Sequence, residues 1–444
     1  MNSSHAARHS VTMQLFLLAS IVLYLLARVI DSLWGTSVDV AHHYALIARI
    51  SENFSLPAGF DTSLGEMNIY PAGSHVMAAV LGYFLHSPLL GMQVMTILSV
   101  ITGWCALFYM LLSLPRKSAI VAAGSLVLLL VFNHFVLHME LHGREISSDF
   151  FYAQLVGQAF ALVMMTVLMY LERKEFSRWF RYAMTLGAIY FAIGIHLLAA
   201  LEVLGFFSFC LLADTLASLQ QSKREAIKRG LLGLVLITIG AILVLSHPYY
   251  TAMKAISVNN GLLHIHHFNK TPALAAYCAV IFIMSGYLLR HWLQQGKLQT
   301  SLSLFKYVSS YGMAVAALCL LQIILLKFGS GSEYAVKKYV FALNTIFMLE
   351  CALLIQLASK KYLPKMYTEH YVRSNMHHYL VPSVGVLLSF ICIMPLSGGL
   401  DVSELVARER QIIERRDNVL LAQADKFNYV TELAGMPPMV NYMF

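Results

Sequence analysis

Residues 70–87 read Tyr-Pro-Ala-Gly-Ser-His-Val-Met-Ala-Ala-Val-Leu-Gly-Tyr-Phe-Leu-His-Ser, and the placement of this stretch decides the topology of the chain. The stretch is apolar like a membrane span, but it opens with a Tyr-Pro pair and carries two histidines. If it crossed the membrane, Arg116 and Lys117 would lie outside, and every later basic loop would be inverted with them. Basic loops stay on the cytoplasmic side, so their distribution can decide between the two placements.

The composition is that of an integral membrane protein. Of the 444 residues, 58% are hydrophobic and 12% are charged, whereas soluble domains carry about 25% charged residues. A span needs about 20 apolar residues to cross a hydrocarbon core of about 30 Å. The net charge of +8 fits basic anchors at the membrane better than nucleic-acid binding. We predict about eleven spans: 12–31, 89–114, 118–138, 151–172, 179–196, 197–218, 229–248, 272–291, 304–327, 337–358 and 378–397.

The charge rule keeps 71–87 out of this count. Its omission places about seventeen basic residues in cytoplasmic loops and about six in the short outer loops. We therefore predict that 71–87 is an amphipathic helix at the outer interface, with the N-terminus inside and the C-terminus outside. The predicted fold is an all-α membrane protein: a transmembrane module over 1–397 and a short extracytoplasmic tail over 398–444, with one surface helix in 401–424.

Polar residues gather in four outer segments, 32–88, 139–150, 247–271 and 328–338. In the first of them, Asp39 opens an apolar stretch with helical spacing, as an acidic N-cap does. His42 and His43 follow one turn later on about the same face. Taken by themselves, these residues fit a capped interfacial helix with polar histidines.

Asp39, Tyr70, Pro71 and His75 carry a resemblance to a family. The first outer loop resembles that of the GT-C superfamily of integral membrane glycosyltransferases. Its members have two juxtamembrane helices there, with an acidic residue opening the first and a Tyr-Pro-x-x-x-His-like stretch opening the second. The resemblance covers about the first 120 residues in pattern and the remainder in topology. It departs at one point, since many members have paired acids where Asp39 is followed by Val40.

This resemblance implies two juxtamembrane helices, a polyprenyl-phosphate-linked sugar donor and Asp39 as the general base. The base would deprotonate the acceptor hydroxyl, and cations would hold the leaving phosphate. Lys337 and Lys338, at the outer end of the tenth span, are candidates for the phosphate, with Tyr334 beside them. The alternative is that both lysines are anchors reaching the headgroup region.

Further candidates come from the other outer segments. Arg144 is either a second phosphate or acceptor contact, or a member of a salt-bridge cluster at a helix junction. Glu145 or Asp149 is a candidate second carboxylate. The expected substrate cavity comprises His42, His43, Tyr70, His75, Glu145, Asp149, Glu202 and His247. Glu350, also within a span, is expected to be structural.

No cofactor is firmly implied. The histidines at 264, 266 and 267 do not have the spacing of a tetrahedral metal site, so a divalent metal lacks support from ligand spacing. The six cysteines all fall in apolar blocks and are expected to be buried thiols.

The functional prediction is transfer of a sugar to a cell-envelope glycan, lipid-linked or protein acceptor at the outer face of the cytoplasmic membrane. Expected partners are the lipid-linked donor, that acceptor and membrane lipids, but not nucleic acid. The alternative is a secondary transporter or flippase, although such proteins tend to have paired halves, which the sequence lacks. A glycan polymerase or ligase of another fold would usually have its large outer loop late in the chain.

Overall fold

A computed structural model describes residues 30–53, 55–56, 64–256, 271–295, 302–364, 376–395 and 398–422. Within these ranges the regular structure is helical, and no β-strand occurs. The α-helices are α1 Asp39–Asn53, α2 Gly73–Leu85, α3 Pro88–Leu112, α4 Arg116–Phe132, α5 Arg144–Ser148, α6 Tyr152–Arg173, α7 Arg178–Ile195, α8 Leu197–Leu219, α9 Lys223–Ser246, α10 Pro248–Ile256, α11 Thr271–Gln295, α12 Ser303–Lys327, α13 Glu333–Tyr362, α14 Met376–Ile393 and α15 Val402–Ala422.

Eight helices in the described residues are long and apolar enough to cross a membrane, which makes the chain a multi-pass membrane protein. They are α3, α4 with its π-helical extension to Leu137, α6, α8, α9, α11, α12 and α13. The expected number was about eleven. Two of the other three predicted spans are helices that are not among these eight: α7, whose 18 residues include Arg178 and Arg181, and α14, whose side chains are described only from Leu380 to Ile393. The third, 12–31, lies almost wholly outside the described residues.

The helix ends sort by charge, as expected if successive spans alternate in direction. At one end of the bundle, Lys306 Nζ lies 2.7 Å from carboxylate oxygens of both Glu172 and Asp214. Arg181 pairs with the same Glu172 carboxylate, and the Tyr307 hydroxyl donates to it at 2.7 Å. These residues come from the ends of α6, α7, α8 and α12 that the basic loops join. We call this the basic end.

Within residues 71–87, Gly73–Leu85 form the short helix α2, which is not among the eight candidate spans. Its position at the outer interface stays a prediction. The 13 residues of α2 extend about 20 Å, against a core of about 30 Å. The helix ends at His86 in the left-handed conformation (φ 51°). The chain then turns into α3, whose first turn is capped by Ser87 Oγ accepting from Leu90 N at 3.0 Å.

Glycine permits the close packing of α2 on α3. A Cβ added at Gly91 would lie 2.2 Å from the carbonyl oxygen of Ala78, so a larger residue there would force the helices apart. The opposite side of α2 leaves Val80, Tyr83 and Phe84 exposed. An exposed apolar face on a short helix is expected where a helix meets lipid.

The helix expected in 401–424 is present as α15, but it is more than a surface helix. Val402 and Leu405 are buried, and just before the helix Leu400 N donates to Trp34 O at 2.8 Å. The tail therefore packs against the segment that leads into α1.

Candidate functional site

A cavity of about 550 Å³ lies at the end of the bundle opposite the basic end. We call this end the site end. The volume is within the usual range for small-molecule sites. The polar residues of the lining are Asp39, His42, His43, Glu66, Tyr70, His196, Ser332, Tyr334 and Lys338. The apolar residues include Leu64, Met67, Phe151, Leu197, Leu198, Met253 and Ile256. The cavity therefore offers both polar and apolar contacts to a ligand.

Asp39 is the first residue of α1, and its carboxylate faces the cavity. Its backbone N–H donates to Ser37 Oγ at 3.3 Å, while its Oδ2 accepts from the Tyr334 hydroxyl at 3.1 Å. Within the described residues the bonded partner of this carboxylate is thus α13, not the backbone of α1 as the N-cap interpretation required. Burial raises the pKa of Asp39, and the Tyr334 hydrogen bond and the charge of Lys338 oppose that rise.

Lys338 is a buried lysine beside the same cavity. Its Nζ lies 4.1 Å from the ring centre of Tyr334 and 4.9 Å from that of Phe151, and 3.3 Å from His196 Nε2. No ion pair with a carboxylate is formed by Lys338 in the described part of the chain. Aromatic faces attract a cation without neutralising it, so Lys338 remains available to an anion entering the cavity.

Lys337 behaves differently from its neighbour. Its Nζ lies 2.8 Å and 2.7 Å from the two carboxylate oxygens of Asp149. Successive residues on a helix are about 100° apart, so α13 can direct Lys338 toward the cavity and Lys337 away from it. The pairing places the Lys337 and Asp149 side chains outside the cavity lining, whereas phosphate binding was predicted for Lys337 and a cavity position for Asp149.

Arg144 and Glu145 lie in a buried junction and not in the cavity lining. Arg144 Nη1 donates to the carbonyl of His138 at 3.3 Å. Glu145 Oε2 accepts from Gly143 N at 2.5 Å, and its Oε1 lies 3.8 Å from His142 Nδ1. The placement favours the helix-junction alternative for Arg144 over the predicted phosphate contact, because both side chains are enclosed by the segment 138–148 and its neighbours.

His43 and His75 bring the two outer helices together. His43 Nδ1 lies 2.8 Å from His75 Nε2, and the Tyr70 ring stands edge-on to both imidazoles. Burial lowers the pKa of both histidines, that of His75 to about 3. Both rings are therefore neutral near pH 7, and one donates to the other. His43 and Tyr70 line the cavity, while His75 lies behind them.

Glu202 and His247 lie apart from the cavity lining. Glu202, fully buried in α8, accepts from the Tyr311 hydroxyl at 2.7 Å and from Gln154 at 3.4 Å. The His247 ring packs on Tyr190 and Tyr249. Both residues were predicted to line the cavity, but their side chains contact neighbouring residues instead. Glu350 accepts from Ser285 at 2.5 Å, in keeping with its expected structural role.

Several lining residues were missed by sequence reasoning. His196 had a usable signal, because it is a polar residue between two apolar blocks; it accepts from Leu198 N at 3.2 Å and so caps α8. Phe151, Met253 and Ile256 gave no signal that distinguishes them from lipid-facing residues.

The described residues contain no group of three or more histidine, cysteine, aspartate or glutamate side chains arranged to hold a metal ion. The histidines at 264, 266 and 267 lie outside the described residues. Compared with known proteins, the chain matches no family model, no curated protein and no solved structure. The chemistry of the cavity must therefore carry the functional argument.

Proposed function

We propose that this chain is a membrane glycosyltransferase of the GT-C type. It would transfer a sugar from a polyprenyl-phosphate-linked donor to an acceptor hydroxyl at the extracytoplasmic face. One observation carries the proposal: the carboxyl group of Asp39 and the amino group of Lys338 border the same cavity, with Tyr334 in contact with both.

Asp39 supplies the base that the reaction requires. As the acceptor oxygen attacks the anomeric carbon, its proton must leave, and a carboxylate in the cavity can accept it. Burial raises the pKa of Asp39 above that of a solvated aspartate, which strengthens it as a base. The tyrosine hydroxyl holds the carboxylate in place, and positional control of this kind is a large part of catalytic power.

Lys338 supplies the positive charge for the leaving group. The bond from the anomeric carbon to the donor phosphate breaks, and the phosphate gains negative charge. A cation held in a poorly solvated site stabilises that charge more strongly than water does. Lys337 cannot share this role while Asp149 neutralises it.

The apolar part of the cavity suits the lipid portion of the donor. Leu197, Leu198, Met253 and Ile256 line it, and burial of each CH₂ group against such side chains contributes about 0.8 kcal/mol. A free sugar phosphate or nucleotide sugar would leave that surface uncovered.

The test is transfer of labelled sugar from synthetic polyprenyl-phosphate sugars by the purified full chain in liposomes. Asp39→Asn keeps the shape and should reduce turnover by about 10²- to 10⁴-fold, with thermal stability unchanged. Glu52→Gln, on the exposed side of the same helix, is the matched control and should retain activity. If Asp39→Asn transfers sugar at the wild-type rate, Asp39 is not the base.

Lys338→Met tests the phosphate site in the same assay. It should weaken donor binding and slow turnover, because the leaving phosphate loses its counter-charge. Movement of a solute or lipid across the liposome membrane without any covalent transfer would instead support the transporter or flippase alternative.

A further inference from the structure

The tail helix α15 places an acidic side chain inside the protein. Glu409 is 1% exposed, in line with the buried Val402, Leu405 and Val406 on the same helix. An apolar residue would hold α15 against the bundle at a lower cost, because a buried carboxylate needs hydrogen bonds to offset its desolvation. The hydrogen bonds of the Glu409 carboxylate must therefore account for its burial.

Three donors converge on this carboxylate. The Tyr44 hydroxyl donates to Oε1 at 2.8 Å, and the backbone N–H of Leu89 donates to the same oxygen at 3.2 Å. The Ser87 hydroxyl donates to Oε2. Burial raises the pKa of Glu409, and the hydrogen bonds from Ser87, Tyr44 and Leu89 oppose the rise.

The donors belong to two parts of the site end. Tyr44 lies in α1, five residues after Asp39 and next to His43 in sequence. Ser87 and Leu89 lie at the turn between α2, which carries His75, and α3. One side chain from the tail thus joins α1 to the turn that links α2 to α3.

We propose that Glu409 is a positioning residue whose carboxylate fixes α1, and with it Asp39, against the α2–α3 turn. Lys338 and Tyr334 belong to α13, which Glu409 does not contact through these bonds. Loss of the carboxylate should therefore displace the base relative to the donor site while leaving the donor site intact. The catalytic consequence rests on the function proposed above.

Two measurements on the purified full chain test this. In Glu409→Ala, amide hydrogens of α1 should exchange at least about 10-fold faster, while those of α6 and α13 keep their wild-type rates. Turnover should fall by about 10-fold or more, and donor affinity and the fraction of molecules that bind donor should stay unchanged, because small misplacements of a reacting group slow chemistry strongly. A merely destabilised protein would lose donor-binding molecules as well.

Companion variants sharpen the result. Glu409→Gln keeps an acceptor for Tyr44 and Leu89 and should restore most of the turnover. Tyr44→Phe removes the α1 bond and leaves Glu409 in place, so it should reproduce the faster exchange of α1 even if Glu409→Ala does not fold. Glu404→Ala, on the exposed face of α15, is the matched control and should change neither measurement.

Hydrogen exchange separates this inference from the function on which it rests. Unchanged exchange of α1 in both Glu409→Ala and Tyr44→Phe would overturn the positioning role. If α1 exchanges faster in Glu409→Ala and Tyr44→Phe but the unsubstituted chain transfers no sugar, the positioning role stands and the glycosyltransferase proposal is refuted.

Discussion

Asp39 and Tyr334 are 295 positions apart in the sequence, yet they share a hydrogen bond across the cavity. The bond favours the ionised form of the carboxylate, whereas burial favours the protonated form. Burial is the larger effect, so the pKa of Asp39 lies above the ordinary value of 3.8. The Tyr334 hydrogen bond therefore limits how far burial raises the pKa of Asp39, so that more of the carboxylate stays ionised.

Tyr334→Phe should make the proposed reaction more sensitive to acid. A base works when deprotonated, so kcat/KM should fall as the pH drops through the pKa of Asp39. Without the hydroxyl that pKa rises further, because a hydrogen bond to a charged group contributes roughly 1.5 kcal/mol, or about one pKa unit. The acid limb of the pH profile should shift upward by about one unit.

Tyr339→Phe is the control for that experiment. It lies in the same helix, and its hydroxyl has no hydrogen-bond partner in the described structure. Its acid limb should match that of the wild type. An equal shift in both variants would mean that the shift does not come from the hydrogen bond between Tyr334 and Asp39.

At the scale of single residues, the sequence indicates which residues belong to the site, but it does not show which way their side chains point. Asp39, His43, Tyr70 and Lys338 were selected from their positions in the outer segments and from the family resemblance, and they line one cavity. The division between Lys337 and Lys338 depends on the rotation of α13 about its axis. That rotation is set by packing among helices distant in the sequence, which one sequence does not reveal.

At the scale of elements, α2 depends on a close approach to the end of α7. A Cβ added at Gly73 would lie 2.5 Å from the carbonyl oxygen of Gly194, which is a backbone atom and cannot rotate away. Gly73→Ala should destabilise the protein by about 1–3 kcal/mol, the usual cost of overpacking. Thermal unfolding in detergent measures it as a lower Tm.

Gly187→Ala provides the comparison, because a Cβ at that position in α7 has no atom within 4 Å. Alanine favours a helix over glycine by about 1 kcal/mol, so this variant should be as stable as the wild type or slightly more so. A Tm for Gly73→Ala equal to that of Gly187→Ala would show that α2 does not depend on this approach.

The two outer-loop helices and the tail helix were predictable from local patterns, because each has a start signal and helical periodicity. Their partners were not predictable. The contact between His43 and His75 spans 32 positions, and that between Tyr44 and Glu409 spans 365. In sequence, Glu409 is one acid in a helix of mixed charge, and nothing local marks it as buried.

At the scale of the whole molecule, the basic end contains a network of ion pairs that was not predictable from the sequence. Lys306 stands at the cytoplasmic end of the predicted span 304–327, yet it is 2% exposed and paired with two carboxylates. Lys306→Met should destabilise the protein by about 3–5 kcal/mol, because Glu172 and Asp214 lose their shared counter-charge. Unfolding in a graded series of denaturing detergent measures the loss.

Lys228→Met removes an exposed lysine from α9 and should change stability by less than about 0.5 kcal/mol. Equal losses in the two variants would show that the buried network adds no stability beyond that of a surface charge.

The span arrangement also predicts which side each end faces. By the charge rule the basic end is cytoplasmic and the site end is outside. A membrane-impermeant maleimide applied to intact cells should label Ser330→Cys at the site end and spare Lys228→Cys, with the unsubstituted chain as the background. The reverse pattern would place the cavity on the cytoplasmic side and contradict the proposed extracytoplasmic reaction.

The long separations between bonded residues also have a consequence in time. During synthesis, α1 leaves the ribosome hundreds of residues before Tyr334 and Glu409 exist to contact it. The cavity can therefore assemble only after the later helices have entered the membrane, since long-range contacts form after the chain that supplies them. A nascent chain therefore lacks both the Tyr334 contact to Asp39 and the Glu409 contact to Tyr44 until its synthesis is nearly complete.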